Sequence, residues 1–226
     1  MAETVAIIGG SGAAGSGLAL RWAQAGLKTV IGSRSESRAQ EAAEKIRQAV
    51  PGAVAEGLSN SDAAAAAGVV VLTAPLTAQV ETIKGIAGSL RPGAVLVDTT
   101  VPLEKAAGGR LSRALTLWEG SAAERAKRAL SGADVRLVSA FHTLSAKTLA
   151  NLSEAVDCDV LVCGDNADAR AMVMRLASKI EGVRAVDAGP LENARYAEQL
   201  AALLIAMNLR HKTQHAGFRT TGLPCE

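Results

Sequence analysis

The 226-residue sequence predicts an α/β fold: a doubly wound, mostly parallel sheet followed by a small C-terminal α/β lobe. Three observations predict it. Short apolar runs alternate with helix-permissive stretches along the whole chain. The runs lack polar alternation, as strands buried on both faces do. Five glycines, at positions 9, 10, 12, 15 and 17, follow the first run directly.

The elements follow in order. Residues 4–8 are the first apolar run, and the helix-permissive stretch 13–24 ends at Gly26. Residues 29–31 make the second strand. Residues 36–50 make a helix with charges on one face and Ala39, Ala42, Ala43, Ile46 and Val50 on the other, stopped by Pro51-Gly52. Strands at 53–56, 69–73, 94–98 and 136–140 alternate with helices at 62–67, 78–89 and 121–130. Such repetition implies right-handed crossovers and a parallel sheet. The lobe adds strands near 160–162 and 184–186 and helices at 167–180 and 191–209. The division falls at 142, giving a domain of residues 1–142 and a lobe of residues 143–226. Residues 99–120 carry the weakest pattern, and a loop of that length in a compact protein is functional or mobile.

Composition excludes several classes. Apolar residues are 49% and charged residues 20%, unlike a disordered chain. The net charge of +2 gives no field for nucleic acid or an acidic membrane, and with aromatics at 2% a single-strand binder built on stacking is excluded. No signal peptide is expected from the N-terminus. The uncharged run 63–80 contains Gly68 and Pro75 and reads as helix end, strand and turn, not as a membrane span. Cys158, Cys163 and Cys225 are an odd set in a chain of ordinary size, so they read as thiols in a reducing cytosol. The protein is expected to be soluble and cytoplasmic.

Within the glycine cluster, Gly10, Gly12 and Gly15 fit G-x-G-x-x-G between a buried strand and a helix, the Rossmann context for a dinucleotide. Gly10 is expected to allow the tight turn, Gly12 to let the pyrophosphate reach the backbone, and Gly15 to let helix and strand approach. The helix N-terminus, with Ser11, Ala13 and Ala14, then offers N–H groups to the phosphates. The second strand ends in Gly32-Ser33-Arg34, with Arg38 one turn further and no carboxylate at its tip. A hydroxyl and two guanidinium groups suit a 2′-phosphate, which selects NADP(H) over NAD.

The usual acid–base sets are missing. The lone tyrosine, Tyr196, is followed by Ala197-Glu198-Gln199-Leu200, so there is no Tyr-x-x-x-Lys pair. No nucleophile elbow or HExxH pattern occurs, and the chain is too short for a large helical catalytic domain. Reduction of a carbonyl or imine needs a proton donor. Hydride exchange between two redox cofactors needs mainly two rings held face to face.

Several segments together resemble the NADPH-dependent reductases of coenzyme F420. They include Ile8-Gly9-Gly10-Ser11-Gly12, Ile31-Gly32-Ser33-Arg34, Val71-Leu72-Thr73-Ala74-Pro75, Val101-Pro102, Ser139-Ala140-Phe141-His142-Thr143, Val162-Cys163-Gly164-Asp165 and Asp187-Ala188-Gly189-Pro190-Leu191. The resemblance spans residue 5 to about 209. It implies reversible hydride transfer between the nicotinamide and the deazaflavin. It also implies NADP contacts from Ser11, Gly12, Ala13, Ala14, Ser33, Arg34, Arg38, Ala74, Pro75, Leu76 and Val101, and a turn from His142 to Ala146 beside the nicotinamide. His142 is expected to act by position and not as an obligatory acid. The lobe is expected to complete the deazaflavin site, and C-terminal helices to build a homodimer. Two regions depart from the family pattern: residues 103–119, with Lys105, Arg110 and Arg113, and the tail 211–226. Both are expected near the acidic tail of the deazaflavin. An NADPH-dependent reductase of ordinary flavin and a non-catalytic NADP sensor stay open as alternatives. His211 and His215 have i, i+4 spacing without a third ligand, so no metal is expected.

Overall fold

The structure is a computed structural model that describes residues 3–223; Cys225 lies outside them. The chain runs β1 (Thr4–Ile8), α1 (Ala13–Gln24), β2 (Lys28–Ser33), α2 (Glu36–Ala49), β3 (Ala55–Ser59), α3 (Asn60–Ala66), β4 (Val69–Leu72), α4 (Leu76–Ala87) and β5 (Ala94–Asp98). It continues with α5 (Ala122–Ala129), β6 (Val135–Ser139), α6 (Ala146–Ala150), β7 (Cys158–Gly164), α7 (Ala167–Ser178), β8 (Val183–Asp187) and α8 (Ala194–His211). Among the described residues the strands form one eight-stranded sheet in the order β3-β2-β1-β4-β5-β6-β7-β8. The predicted α/β class and mostly parallel sheet are what the structure has.

Side chains of a strand alternate between faces, so each apolar run feeds two cores. Ile7, Ile31, Val71 and Val97 meet Leu18 and Trp22 of α1, Ala39, Ala43 and Ile46 of α2 and Val173 of α7 on one face. Ile8, Val30, Val70, Leu72 and Leu96 meet Ala63 of α3, Ile83 and Ile86 of α4 and Ala126 of α5 on the other.

Some boundaries differ from expectation. The third strand lies at Ala55–Ser59, later than 53–56, and includes Gly57. A Cβ on Gly57 would stand 2.3 Å from the backbone of Ala39 and Gln40. The glycine therefore admits α2 against the strand and does not end it. The stretch 99–120 holds a short 3-10 turn at Glu104–Ala107 and a bridge between Leu103 and Ala114. The five-residue α6 was not anticipated, because side chains from elsewhere complete it.

β6 and β7 are antiparallel, and only Val138↔Gly164 and Ser139↔Cys163 pair. Both pairs involve the last residues of their strands. The first five residues of β7 therefore run past the end of β6, an overhang of about 16 Å at ~3.3 Å per residue. β8 pairs with β7 in parallel along this overhang. The carboxyl edge of the sheet thus gains a projecting wall.

Candidate active site

Parallel sheets of this kind bind ligands beyond the strand carboxyl ends, where the order reverses. Here the reversal lies between β1 and β4, which both pair with neighbours leading away. The chain leaves β1 through Gly9, whose φ is +76°. Gly9 and Gly10 both donate their N–H to the Gly32 carbonyl at 3.0 and 3.1 Å, and Gly12 N–H donates to the Gly9 carbonyl at 3.0 Å. The tight turn therefore depends on Gly9, whereas Gly10 is packed so that a Cβ would meet the Ile7 carbonyl at 2.7 Å.

The other two motif glycines differ in what surrounds them. A Cβ on Gly15 would lie 2.7 Å from both Gly10 Cα and Thr73 Oγ1, so only glycine lets α1 approach β1 and β4. A Cβ on Gly12 would meet only the Gly9 carbonyl, at 3.4 Å, and would otherwise point into open space. Gly12 is the N-cap of α1 and provides no side-chain cap. Ser11, Ala13 and Ala14 are exposed around it. The first N–H groups of a helix have no intrahelical acceptor, and here they face solvent with the positive end of the helix behind them.

Around this loop the edge gathers the other residues singled out in the sequence. Ser33, buried, ends β2 and accepts the Ser35 N–H at 3.3 Å, while Arg34 is exposed. Arg38, in the first turn of α2, is exposed and lines with Ser11 and Lys45 a groove of about 540 Å³ between α1 and α2. Ala74 and Pro75 follow β4, and Leu76 opens α4 with its side chain buried and its carbonyl accepting from Arg125 at 3.2 Å. Val101 follows β5, half-buried.

A second cleft, of about 820 Å³, opens on the other side of α1. Ala13, Gly17 and Leu20 of α1, His142 and Ala146 of the turn after β6, Leu204 and Ile205 of α8 and Gln214 of the tail line it. His142 and Ala146 thus share one cleft with Ala13, whereas Arg34, Ala74, Pro75, Leu76 and Val101 stand outside it. Among the described residues no phenylalanine, tyrosine or tryptophan lines the cleft.

Several residues that the sequence reading passed over hold this cleft in shape. Phe141 has φ +70°, an uncommon conformation for a bulky side chain. Its ring packs edge-on against Trp22 at 5.5 Å, and Trp22 Nε1 donates to the Leu176 carbonyl at 3.0 Å. Such strain persists only where surroundings over-determine it. Arg21 is buried and donates to the carbonyls of Leu149 at 2.9 Å, Thr148 at 2.8 Å, Glu154 at 2.9 Å and Asn151. It thereby gathers the carbonyls of the last turn of α6 and of the turn that follows it. Gly17 allows the contact, since a Cβ there would reach Leu149 Cβ at 2.7 Å. The signal for Arg21 was an arginine inside an otherwise apolar helix stripe.

His142 Nε2 lies 3.2 Å from Ser139 Oγ. Burial pushes the imidazole down to about 4, so the ring is neutral at pH 7. Beneath the edge, Asp98 accepts from Gln79 Nε2 at 2.7 Å and Thr100 Oγ1 at 2.6 Å, and Gln79 also donates to the Ala122 carbonyl. Glu198 of α8 accepts the Ala122 and Ala123 N–H groups at 2.8 and 3.1 Å, capping α5. Burial raises Asp98 to about 6 against the pull of Thr100 and Gln79. Burial, with Asp98 and Glu124 nearby, raises Glu198 to about 8 despite the two N–H donors. The clue was a carboxylate on the core-facing stripe of Ala194, Ala197 and Ala201.

Burial and the nearby Glu198 and Asp187 carboxylates push the Cys163 thiol up to about 12, which keeps it protonated. His211 ends α8, while His215 lies beyond it against Thr148 Oγ1 at 3.3 Å, so the two do not share a helix face.

The family described as NADP oxidoreductase, coenzyme F420-dependent, matches residues 4–102. An F420-dependent NADP reductase of Methanothermobacter thermautotrophicus is 47% identical, over 99% of this chain and 97% of its own. One from Methanocaldococcus jannaschii is 40% identical over 97% and 98%. A crystallised protein from Arthrobacter sp. superposes with a TM-score of 0.81 at 23% identity, covering 98% of this chain and all of the other, a likeness of fold. Near-complete coverage at these identities extends well past the glycine loop into the overhanging lobe. The chain therefore belongs to the F420-dependent NADP reductase family.

Proposed function

We propose that this chain catalyses direct, reversible hydride transfer between NADPH and the deazaflavin coenzyme F420. The observation that carries this reading is the ring-sized cleft set against the open N-terminus of α1, in a chain 40–47% identical to F420-dependent NADP reductases. The two coenzymes supply the hydride chemistry, at the nicotinamide C4 and the deazaflavin C5. Residues 1–142 bind the nucleotide, and residues 143–226 complete the deazaflavin site.

The protein contributes position. The N–H groups of α1 with Gly12 hold the pyrophosphate. Ser33, Arg34 and Arg38 hold the 2′-phosphate, because no intramolecular carboxylate occupies either guanidinium among the described residues. Ala74, Pro75, Leu76 and Val101 border the nucleotide between the two. His142, a neutral ring fixed by Ser139, and Ala146 set the ring contact without serving as a cationic acid. The largely apolar cleft walls exclude water, which protects a hydride in transit.

The molecule acts as a homodimer in the cytoplasm. In support, α8 exposes Tyr196, Leu203 and Met207 on one face, an apolar stripe that a second copy would cover. No described helix is long and apolar enough to cross a membrane.

The test is direct. NADPH and F420 are mixed with the purified protein, then NADPH and an ordinary flavin, and absorbance is followed. Bleaching of the deazaflavin is expected. Bleaching of the flavin alone identifies a flavin reductase, and binding of NADPH without either identifies a sensor.

A further inference from the structure

The tail beyond α8 is held by a buried carboxylate. Lys212, at φ +51°, ends α8 and reverses the chain. The following residues have no regular secondary structure, yet Thr213, Gln214 and Ala216 form the outer wall of the 820 Å³ cleft. Close to the cleft the tail is held by single hydrogen bonds: Thr213 N–H donates to the Asn208 carbonyl at 3.0 Å and His215 Nδ1 lies 3.3 Å from Thr148 Oγ1. Ser145 Oγ donates to the Gln214 carbonyl at 2.7 Å, and Ala216 N–H donates to Asn208 Oδ1 at 3.0 Å.

The main attachment lies past the cleft, on the overhanging β7. Asp159 N–H donates to the Phe218 carbonyl at 2.7 Å. The Asp159 carboxylate, 0% exposed, accepts from Arg219 Nη1 at 2.8 Å, Thr220 N–H at 2.7 Å and Thr220 Oγ1 at 2.6 Å. Arg184 of β8 adds two more donors, Nε at 3.0 Å and Nη2, and its Nη2 also donates to the Thr220 carbonyl and hydroxyl. Arg219 bonds in addition to Asp157 and the Gly182 carbonyl. A Cβ on Gly217 would meet the Asp157 carbonyl at 2.7 Å, so the tail lies directly on the β7 approach.

Burying a carboxylate is costly unless donors surround it. Three of the donors to Asp159 belong to the tail. Lifting the tail removes them together and leaves the carboxylate to Arg184 alone, so the wall is docked as a unit. Burial opposes ionisation of Asp159, but Arg184, Thr220 and Arg219 hold it well below the usual carboxylate range. The latch therefore stays charged throughout the working pH range. It touches none of the nucleotide-side residues at the other flank of α1.

We propose that Asp159 is a positioning residue for the second substrate: by anchoring Arg219 and Thr220 it fixes Thr213 to Ala216 as the wall on which F420 affinity depends, while NADPH affinity does not. The proposal rests on the function proposed above and adds which part of the chain sets affinity for the deazaflavin.

The experiment compares the wild-type chain with Asp159→Asn and with the double variant Arg219→Ala/Thr220→Val. The double variant leaves the Asp159–Arg184 pair intact and so keeps the proposal testable if Asp159→Asn fails to fold. Steady-state KM for F420 and for NADPH are measured, together with the rate of tryptic cleavage after Lys212. The expected result is a tenfold or greater rise in KM for F420, an NADPH KM within twofold, and cleavage accelerated at least tenfold. Arg219→Lys with Thr220 retained is expected to recover most of the F420 affinity. An unchanged F420 KM, equal rises in both KM values, or unaltered cleavage each overturns the latch. A wild-type protein that never turns over F420 refutes the function itself, a distinct outcome.

Discussion

Glu198 allows a prediction with a defined sign and size. The carboxylate is 1% exposed, and its neighbours raise it from 4.5 to about 8. The folded protein therefore holds this proton more tightly than the unfolded chain does. Its contribution to stability is complete below the ordinary value and is lost as pH rises through about 8. With ~1.36 kcal/mol for each tenfold change in proton affinity, the whole loss is about 5 kcal/mol, of which about 1.3 kcal/mol falls between pH 7 and 8.5. Other shifted groups add little in that window. Asp98, at about 6, has largely finished titrating; His142, at about 4, acts in the opposite sense at lower pH; Cys163, at about 12, acts above it. For a chain of this length the loss lowers Tm by roughly 3–5 °C. Glu198→Gln removes the titration while keeping one acceptor for the α5 cap. Thermal unfolding followed by circular dichroism at pH 7.0, 7.5, 8.0 and 8.5 should show a falling Tm for the wild type and a nearly flat one for the variant. Equal slopes for both proteins would refute the reasoning, whatever the offset at pH 7.

Other perturbations separate the parts of the site. Arg34→Ala removes a charge-assisted contact worth about 1.5–3 kcal/mol, so KM for NADPH should rise roughly 10- to 150-fold with NADH use unchanged; an unaltered NADPH KM would sink the 2′-phosphate assignment. Gly15→Ala forces a methyl to 2.7 Å from Gly10 Cα and should cost about 1–3 kcal/mol in urea unfolding. Gly12→Ala, with open space at its Cβ, should leave stability within about 0.5 kcal/mol yet weaken NADPH binding in a fluorescence titration. His142→Ala should lower kcat without abolishing it, and the pH–rate profile between 6 and 8 should keep its shape because the ring is already neutral there. Total loss of turnover with intact NADPH binding would contradict a positional role.

The sheet and the nucleotide loop were legible because their signals are local. Residues 5–8 and 94–97 are uninterrupted apolar runs, the expected bounds 4–8 and 94–98 agree with β1 and β5, and the 13–24 stretch agrees with α1. The role of Gly15 was readable because its steric job lies across one strand pair, where a methyl would meet Gly10 Cα and Thr73 Oγ1. Gly9 was missed as the turn residue, since the motif spacing directs attention to Gly10. The later elements were less clear. The third strand was placed too early, at 53–56, because the backbone that Gly57 admits comes from α2. The five-residue α6 is too short to show a period, and a carbonyl clasp from Arg21 completes it.

By itself, the sequence determined the α/β class, the parallel order of βα units and a helix N-terminus bare enough for phosphate. Those features follow from hydrophobic periodicity and from the absence of side chains at glycine. Only the tertiary structure decided where the second lobe goes. Two residue pairs join β6 to β7 in antiparallel register, so β7 overhangs the sheet edge and carries Asp159 out to meet the tail. Burial likewise made His142 a neutral ring and Glu198 a reluctant acid, because a charge depends on what surrounds it in space, which no local stretch of residues contains.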